Sequence, residues 1–127
     1  MKHFIAITPK PKPRMTQRDK YMKLQSNTVK TYFEWCNAVK VLLLQQGLRQ
    51  IPDEVSKLYF FMPMPKSWSK KMRKEMEGQL HKQTPDLDNM LKALLDAMNK
   101  DDKSFSHVRN GFGKIWSESA GILIETL

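Results

Sequence analysis

Apolar positions recur at helical spacing over two long stretches of the chain. Between Ser26 and Gln46, residues Val29, Tyr32, Phe33, Cys36, Val39 and Leu43 fall on one helix face. Ser26 or Asn27 is placed to cap the start, and Gly47 supplies the stop. The second stretch runs from Asp86 to about Met98, where Leu87, Met90, Leu91, Leu94, Leu95 and Met98 repeat the same spacing. Pro85 suits its first turn, because the missing proline donor would have no helical partner there. Asp88, Lys92 and Asp96 stand four residues apart on a separate ridge of that helix. A shorter helix is predicted in "SWSKKMRKEMEG", with Ser67 or Ser69 as cap, Gly78 as terminator, and Met72 and Met76 facing inward.

Other segments read as strands. "HFIAIT" is β-branched and aromatic, apolar on both sides, and so predicted to lie inside a sheet. "KLYFFM", Lys57 to Met62, is a second buried strand ended by Pro63 and Pro65. "FSHVR", "GKIW" and "GILIETL", broken by Gly111, Gly113 and Gly121, predict a terminal pair or trio of strands with tight turns. Strands and helices do not strictly alternate, which implies an α+β fold with a mixed sheet. The 127 residues suffice for one domain, 1–127, with a real core.

Charge narrows the partner class. Lys and Arg outnumber Asp and Glu 22 to 13, for a formal net charge of +9, which points to a polyanion. Nucleic acid is the commonest; an anionic membrane surface or an acidic protein is the alternative. No apolar run approaches the ~20 residues that span a bilayer, and the N-terminus lacks a long apolar region and a small-residue cleavage site. With a single cysteine, Cys36, no internal disulfide can form, in keeping with a reducing, intracellular compartment. Cys36 lies on the buried stripe, where a thiol is inert. "PKPKPR", Pro9 to Arg14, is extended and stiff. It is either a solvated linker or a rail of Lys10, Lys12 and Arg14 along a phosphate backbone. Lys70, Lys71, Arg73 and Lys74 form either a solvated face or a phosphate contact. Trp68 can stack on a base or anchor its loop.

Acid is scarce, yet five aspartates fall within Thr84 to Asp102. On a regular helix Asp86 and Asp88 would point about 200° apart. If Asp86 sits at or before the N-cap, both carboxylates can meet one Mg²⁺ or Mn²⁺, which prefer hard oxygen ligands. The partly positive helix N-terminus would stabilise the same acids without a metal. Lys92, one turn after Asp88, can neutralise a phosphate beside a metal. Asp101 and Asp102 follow the helix C-terminus, where the dipole disfavours them, although Lys100 and Lys103 flank them.

At "PKPRMT", "FMPMPKSWSKK", "TPDLDNMLKALLDAM", the following "DD" and the late "KIW", the sequence resembles the RusA family of Holliday junction resolvases, especially its phage and prophage members. The aspartate segment, PDLDN-x₂-K-x₃-DA with a later aspartate pair, is the most specific element. The resemblance implies a RusA-like homodimer that binds four-way DNA junctions and nicks them symmetrically with Mg²⁺, or Mn²⁺ as substitute. It also implies the cytoplasm of a bacterial host. By position, Asp86, Asp88 and Asp102 would hold the metal, Asp101 would be a neighbouring carboxylate, and Lys92 would stabilise the phosphate. Asp96 matches a recurrent family aspartate but also suits a salt-bridged role, and Lys114 in "KIW" is a candidate phosphate contact. The alternative is a basic DNA-binding protein without catalysis. Two departures stand out: only "AMNK" separates Asp96 from the aspartate pair, and "DDKSFSHV" replaces the commoner DDS-x-V. A helix from Asp88 to Met98 is about 15 Å long at about 1.5 Å per residue, so Asp102 leaves from the far end. Either the helix ends early and the chain doubles back, or the carboxylate arrives by another route, such as a dimer partner.

Overall fold

In a computed structural model of the chain, residues 1–14, 27–99 and 103–127 are described. The elements run β1 (Lys2–Ile5), α1 (Asn27–Gln45), β2 (Glu54–Pro63), α2 (Lys70–Met76), α3 (Leu87–Met98), β3 (His107–Ser117) and β4 (Gly121–Glu125). The four strands form one mixed sheet in the order β1-β4-β2-β3. β4 lies antiparallel to both β1 and β2, whereas β3 runs parallel to β2. The α+β expectation is met.

Alternation along the strands separates two faces. Val55, Leu58, Phe60 and Met62 of β2 and Ile122 and Ile124 of β4 join the core with Val39 and Leu43 of α1 and Met90, Leu94 and Met98 of α3. Lys57, Tyr59, Phe61, Leu123 and Phe4 point the other way and remain exposed or half-exposed. On this open face the Phe61 ring lies 6.1 Å from Phe4 and 6.4 Å from Tyr59. Glycines make the surface flat: a Cβ at Gly111 would overlap the Tyr59 hydroxyl, and one at Gly121 would overlap the Phe4 ring.

Three sequence expectations are corrected. β1 is an edge strand, with His3 and Ile5 buried and Lys2 and Phe4 exposed, because only β4 pairs with it. Gly111 and Gly113 do not break the chain into separate strands; they lie inside the continuous β3, where their missing side chains admit Tyr59. Met72 is 41% exposed rather than inward, and only Met76 of α2 packs on the core. Trp35, absent from the predicted stripe, is buried on α1 and donates its indole N–H to Thr8 O at 2.9 Å.

Candidate metal centre and nucleic-acid interface

The segment leading into α3 is fixed from the β3 side. Gly78 N donates to Trp116 O at 3.0 Å, Trp116 N to Gln79 O at 2.9 Å, and His81 N to Lys114 O at 2.9 Å. Residues 78–81 thus cover the β3 edge that β2 leaves free, with an isolated bridge between Leu80 and Ile115. The Trp116 ring packs in tilted contact with Trp68 and His81, with ring centroids 4.8 and 4.2 Å away, so Trp68 anchors its loop. Burial and the nearby Lys114 ammonium hold the His81 imidazole below its ordinary pKa. Beyond His81, Lys114 Nζ donates to Gln83 O at 2.6 Å and to Pro85 O at 2.5 Å. The Thr84–Pro85 peptide between these two contacts is cis.

Asp86 comes next, and it is the N-cap of α3 with an extended backbone (φ −68°, ψ 143°). The condition for Asp86 and Asp88 to share a ligand, that Asp86 lie outside the regular helix, is therefore satisfied. The Asp86 carboxylate makes no capping hydrogen bond. Both side chains are exposed, and neither has a hydrogen-bond or ion-pair partner among the described residues. Two unengaged carboxylates at a helix start are a donor set that suits a hard divalent cation. No cluster of three metal-ligating side chains occurs among the described residues. Lys92 is exposed on the same helix, one turn further on.

Asp101 and Asp102 lie outside the described residues. Their flanks can be placed. α3 does not end early but runs to Met98, and Asn99 exchanges side-chain hydrogen bonds with Ile51 N and O at 2.9 and 3.2 Å. Ser106 N then donates to Asp53 O at 2.8 Å as the chain enters β3. Both flanks sit at the end of α3 remote from Asp86, about 18 Å away at about 1.5 Å per residue.

Asp96 has partners of its own. Tyr32 Oη donates to Asp96 Oδ2 at 2.7 Å, and Lys12 Nζ lies 3.5 Å from Asp96 Oδ1. Burial, and then this hydrogen bond to a carboxylate, drive the Tyr32 hydroxyl far above its ordinary pKa. Burial likewise raises the Cys36 thiol, which fits an inert core residue. Two turns earlier on α3, Asn89 Nδ2 donates to Lys12 O at 3.0 Å and Lys12 N to Asn89 O at 3.4 Å. The "PKPKPR" segment is therefore not a detached linker: it is fastened along the helix that carries Asp88 and Lys92.

The basic residues divide by what they touch. Ser69 caps α2 by accepting from Met72 N at 3.2 Å. Lys70, Lys71 and Lys74 are exposed and border a cleft with Glu118. Arg73 instead donates to Trp68 O at 3.4 Å and Pro65 O at 3.0 Å, bracing the loop before its own helix. Arg14 is exposed and Lys10 half-buried. Lys12 and Lys114 have the intramolecular partners given above. No helix among the described residues is long and apolar enough to cross a membrane.

A basic α+β domain with two unengaged carboxylates at a helix start has the parts of a metal-assisted phosphodiester hydrolase. A family model described as Endodeoxyribonuclease RusA matches residues 5–126. The chain belongs to the RusA endodeoxyribonuclease family. No curated protein and no solved structure matches it significantly.

Proposed function

We propose that this endonuclease resolves four-way DNA junctions by paired, symmetric nicks, using Mg²⁺ with Mn²⁺ as substitute. The observation that carries the reading is the extended N-cap position of Asp86, with its carboxylate unengaged two residues before Asp88. Asp86 and Asp88 would hold the metal. Asp102 as third ligand and Asp101 as its neighbour rest on the family resemblance. A divalent ion held by these carboxylates would polarise the scissile phosphate and lower the pKa of the attacking water. Lys92, on the same helix, offsets negative charge that builds on the phosphate during in-line attack, and the nick is left with a 5′-phosphate. Lys10, Arg14, Lys70, Lys71 and Lys74 would hold the polymer without reading its sequence.

Two opposed cuts call for two sites related by a two-fold axis, hence a homodimer. The open sheet face supports this: Phe4, Tyr59, Phe61 and Leu123 form an apolar surface that a second sheet can cover at about 10 Å spacing. At its margin Lys57 Nζ lies 3.9 Å from Glu125 Oε2, a buried oxygen with no hydrogen-bond partner. A two-fold-related lysine could supply one.

The test is junction cleavage and binding by wild type and Asp88→Asn with and without Mg²⁺. The variant is expected to bind four-way junctions as wild type does and to leave them uncut. A wild-type chain that binds junctions but never cuts them under any divalent metal would be a DNA-binding protein instead.

A further inference from the structure

We propose that Lys114 is the positioning residue that sets Asp86 for metal binding, rather than a contact to the DNA phosphate. This deepens the reading of Asp86 as a ligand and rests on it. The geometry is specific. The ammonium at the end of the Lys114 side chain has three donors, and two are committed to backbone carbonyls, Gln83 O and Pro85 O. The second of these carbonyls belongs to the peptide that joins Pro85 to Asp86, so its orientation bears directly on the Asp86 backbone.

Lys114 is well placed to impose that orientation, because its own backbone is held on both sides. It pairs with Phe60 in the β2–β3 ladder, and its carbonyl accepts from His81 N at 2.9 Å. The neighbouring residues Ile115 and Trp116 are also bridged to the segment 78–81. The lead-in to α3 is otherwise weakly held. Thr84 and Asp86 are exposed, and the Asp86 side chain does not cap the helix. An N-cap normally gains from a side-chain bond to the first turn. Here that bond is not made, which leaves the carboxylate available, and the backbone conformation must be maintained from elsewhere. Two charge-assisted hydrogen bonds from a strand-anchored ammonium do that. A neutral donor could reach the same carbonyls, but a charge-assisted bond is roughly twice as strong as a neutral one.

The experiment compares Lys114→Met, Lys114→Arg and Asp86→Asn with wild type by three measurements made without cleavage. These are Mn²⁺ affinity of the DNA-free protein, amide hydrogen exchange over residues 83–89, and junction binding in EDTA. Lys114→Met is expected to weaken Mn²⁺ binding about tenfold and to speed exchange at Asp86 and Leu87, with junction binding in EDTA within about twofold of wild type. Lys114→Arg, which keeps charged donors, is expected to recover part of the affinity. If Lys114→Met does not fold, the Arg variant decides through the same three measurements. Loss of EDTA junction binding with unchanged Mn²⁺ affinity would overturn the proposal and make Lys114 a phosphate contact. Asp86→Asn separates the levels: unchanged Mn²⁺ affinity in that variant removes the ligand reading and the proposal together. Weakened affinity in Asp86→Asn but not in either Lys114 variant removes the proposal alone.

Discussion

Lys12 Nζ lies 3.5 Å from Asp96 Oδ1, so a proline-rich segment at the start of the chain is tied to the helix that carries Asp88 and Lys92. Asp96 takes a second bond from Tyr32 Oη at 2.7 Å, and the two partners do not contribute equally. The Lys12–Asp96 side chains are 35% and 36% exposed, in the range where an ion pair adds little, whereas Tyr32 is 2% exposed.

This inequality predicts a split between two substitutions. Asp96→Ala leaves a buried hydroxyl without its acceptor and should cost about 1–3 kcal/mol in urea denaturation. Asp96→Asn keeps an acceptor for Tyr32 and loses only the ion pair, a cost below about 1 kcal/mol. Equal losses in the two variants would mean that the Tyr32 bond is not the stabilising element.

Salt dependence of junction binding separates the cations of the N-terminal segment. Arg14→Ala should lower affinity and reduce the salt slope by about one, since an exposed guanidinium that contacts a phosphate releases about one counterion. Lys12→Ala should change the slope less, because its ammonium already faces Asp96. A slope unchanged in the double variant Lys12→Ala with Arg14→Ala would remove the segment from the DNA interface.

The open sheet face makes a prediction about assembly. Phe61 sits between Phe4 and Tyr59 at the middle of that surface. If the proposed dimer forms through this face, Phe61→Glu should sediment as a folded monomer at micromolar concentration where wild type sediments as a dimer, with circular dichroism preserved. A variant that still sediments as a dimer would show that the copies meet elsewhere.

His81 gives a pH dependence with a definite sign. Burial first, and the Lys114 charge second, favour the neutral ring in the folded state and lower its pKa from 6.5. As pH falls, the unfolded chain therefore takes up this proton before the folded one does. The stability His81 contributes is present above about pH 6.5 and declines as pH drops towards the lower folded value. Melting temperatures of wild type and His81→Gln, followed from about pH 7.5 to 5.5, should converge as the wild type loses this contribution. Parallel curves would assign the acid sensitivity to other groups.

The sequence disclosed the helices well because their apolar positions repeat locally: α1 ends, and α3 begins and ends, within a residue or so of expectation. It also framed the right question about Asp86, whose N-cap position depends only on where the helix starts. The parallel pairing of β2 with β3 was not legible, since nothing in either strand records which distant segment lies beside it. Glycine misled for a related reason. Gly111 and Gly113 read as breaks, but their role is to make room for Tyr59 on the neighbouring strand. The roles of Lys114 and Arg73 were hidden most completely. Their partners are backbone carbonyls of Gln83, Pro85, Trp68 and Pro65, which any residue type supplies.

The parallel β2–β3 pair has a consequence for the order in which the site is made. Residues 64–106 form one long crossover between the two strands, and Asp86 and Asp88 lie within it. The groups that hold their lead-in, Lys114 and Trp116, come later in the chain. During synthesis both carboxylates therefore leave the ribosome ahead of the strand that aligns them. A nascent chain stopped short of β3 would carry the two carboxylates proposed to hold the metal but not the frame that fixes their lead-in, so on that proposal cutting competence would arrive only with the final strands.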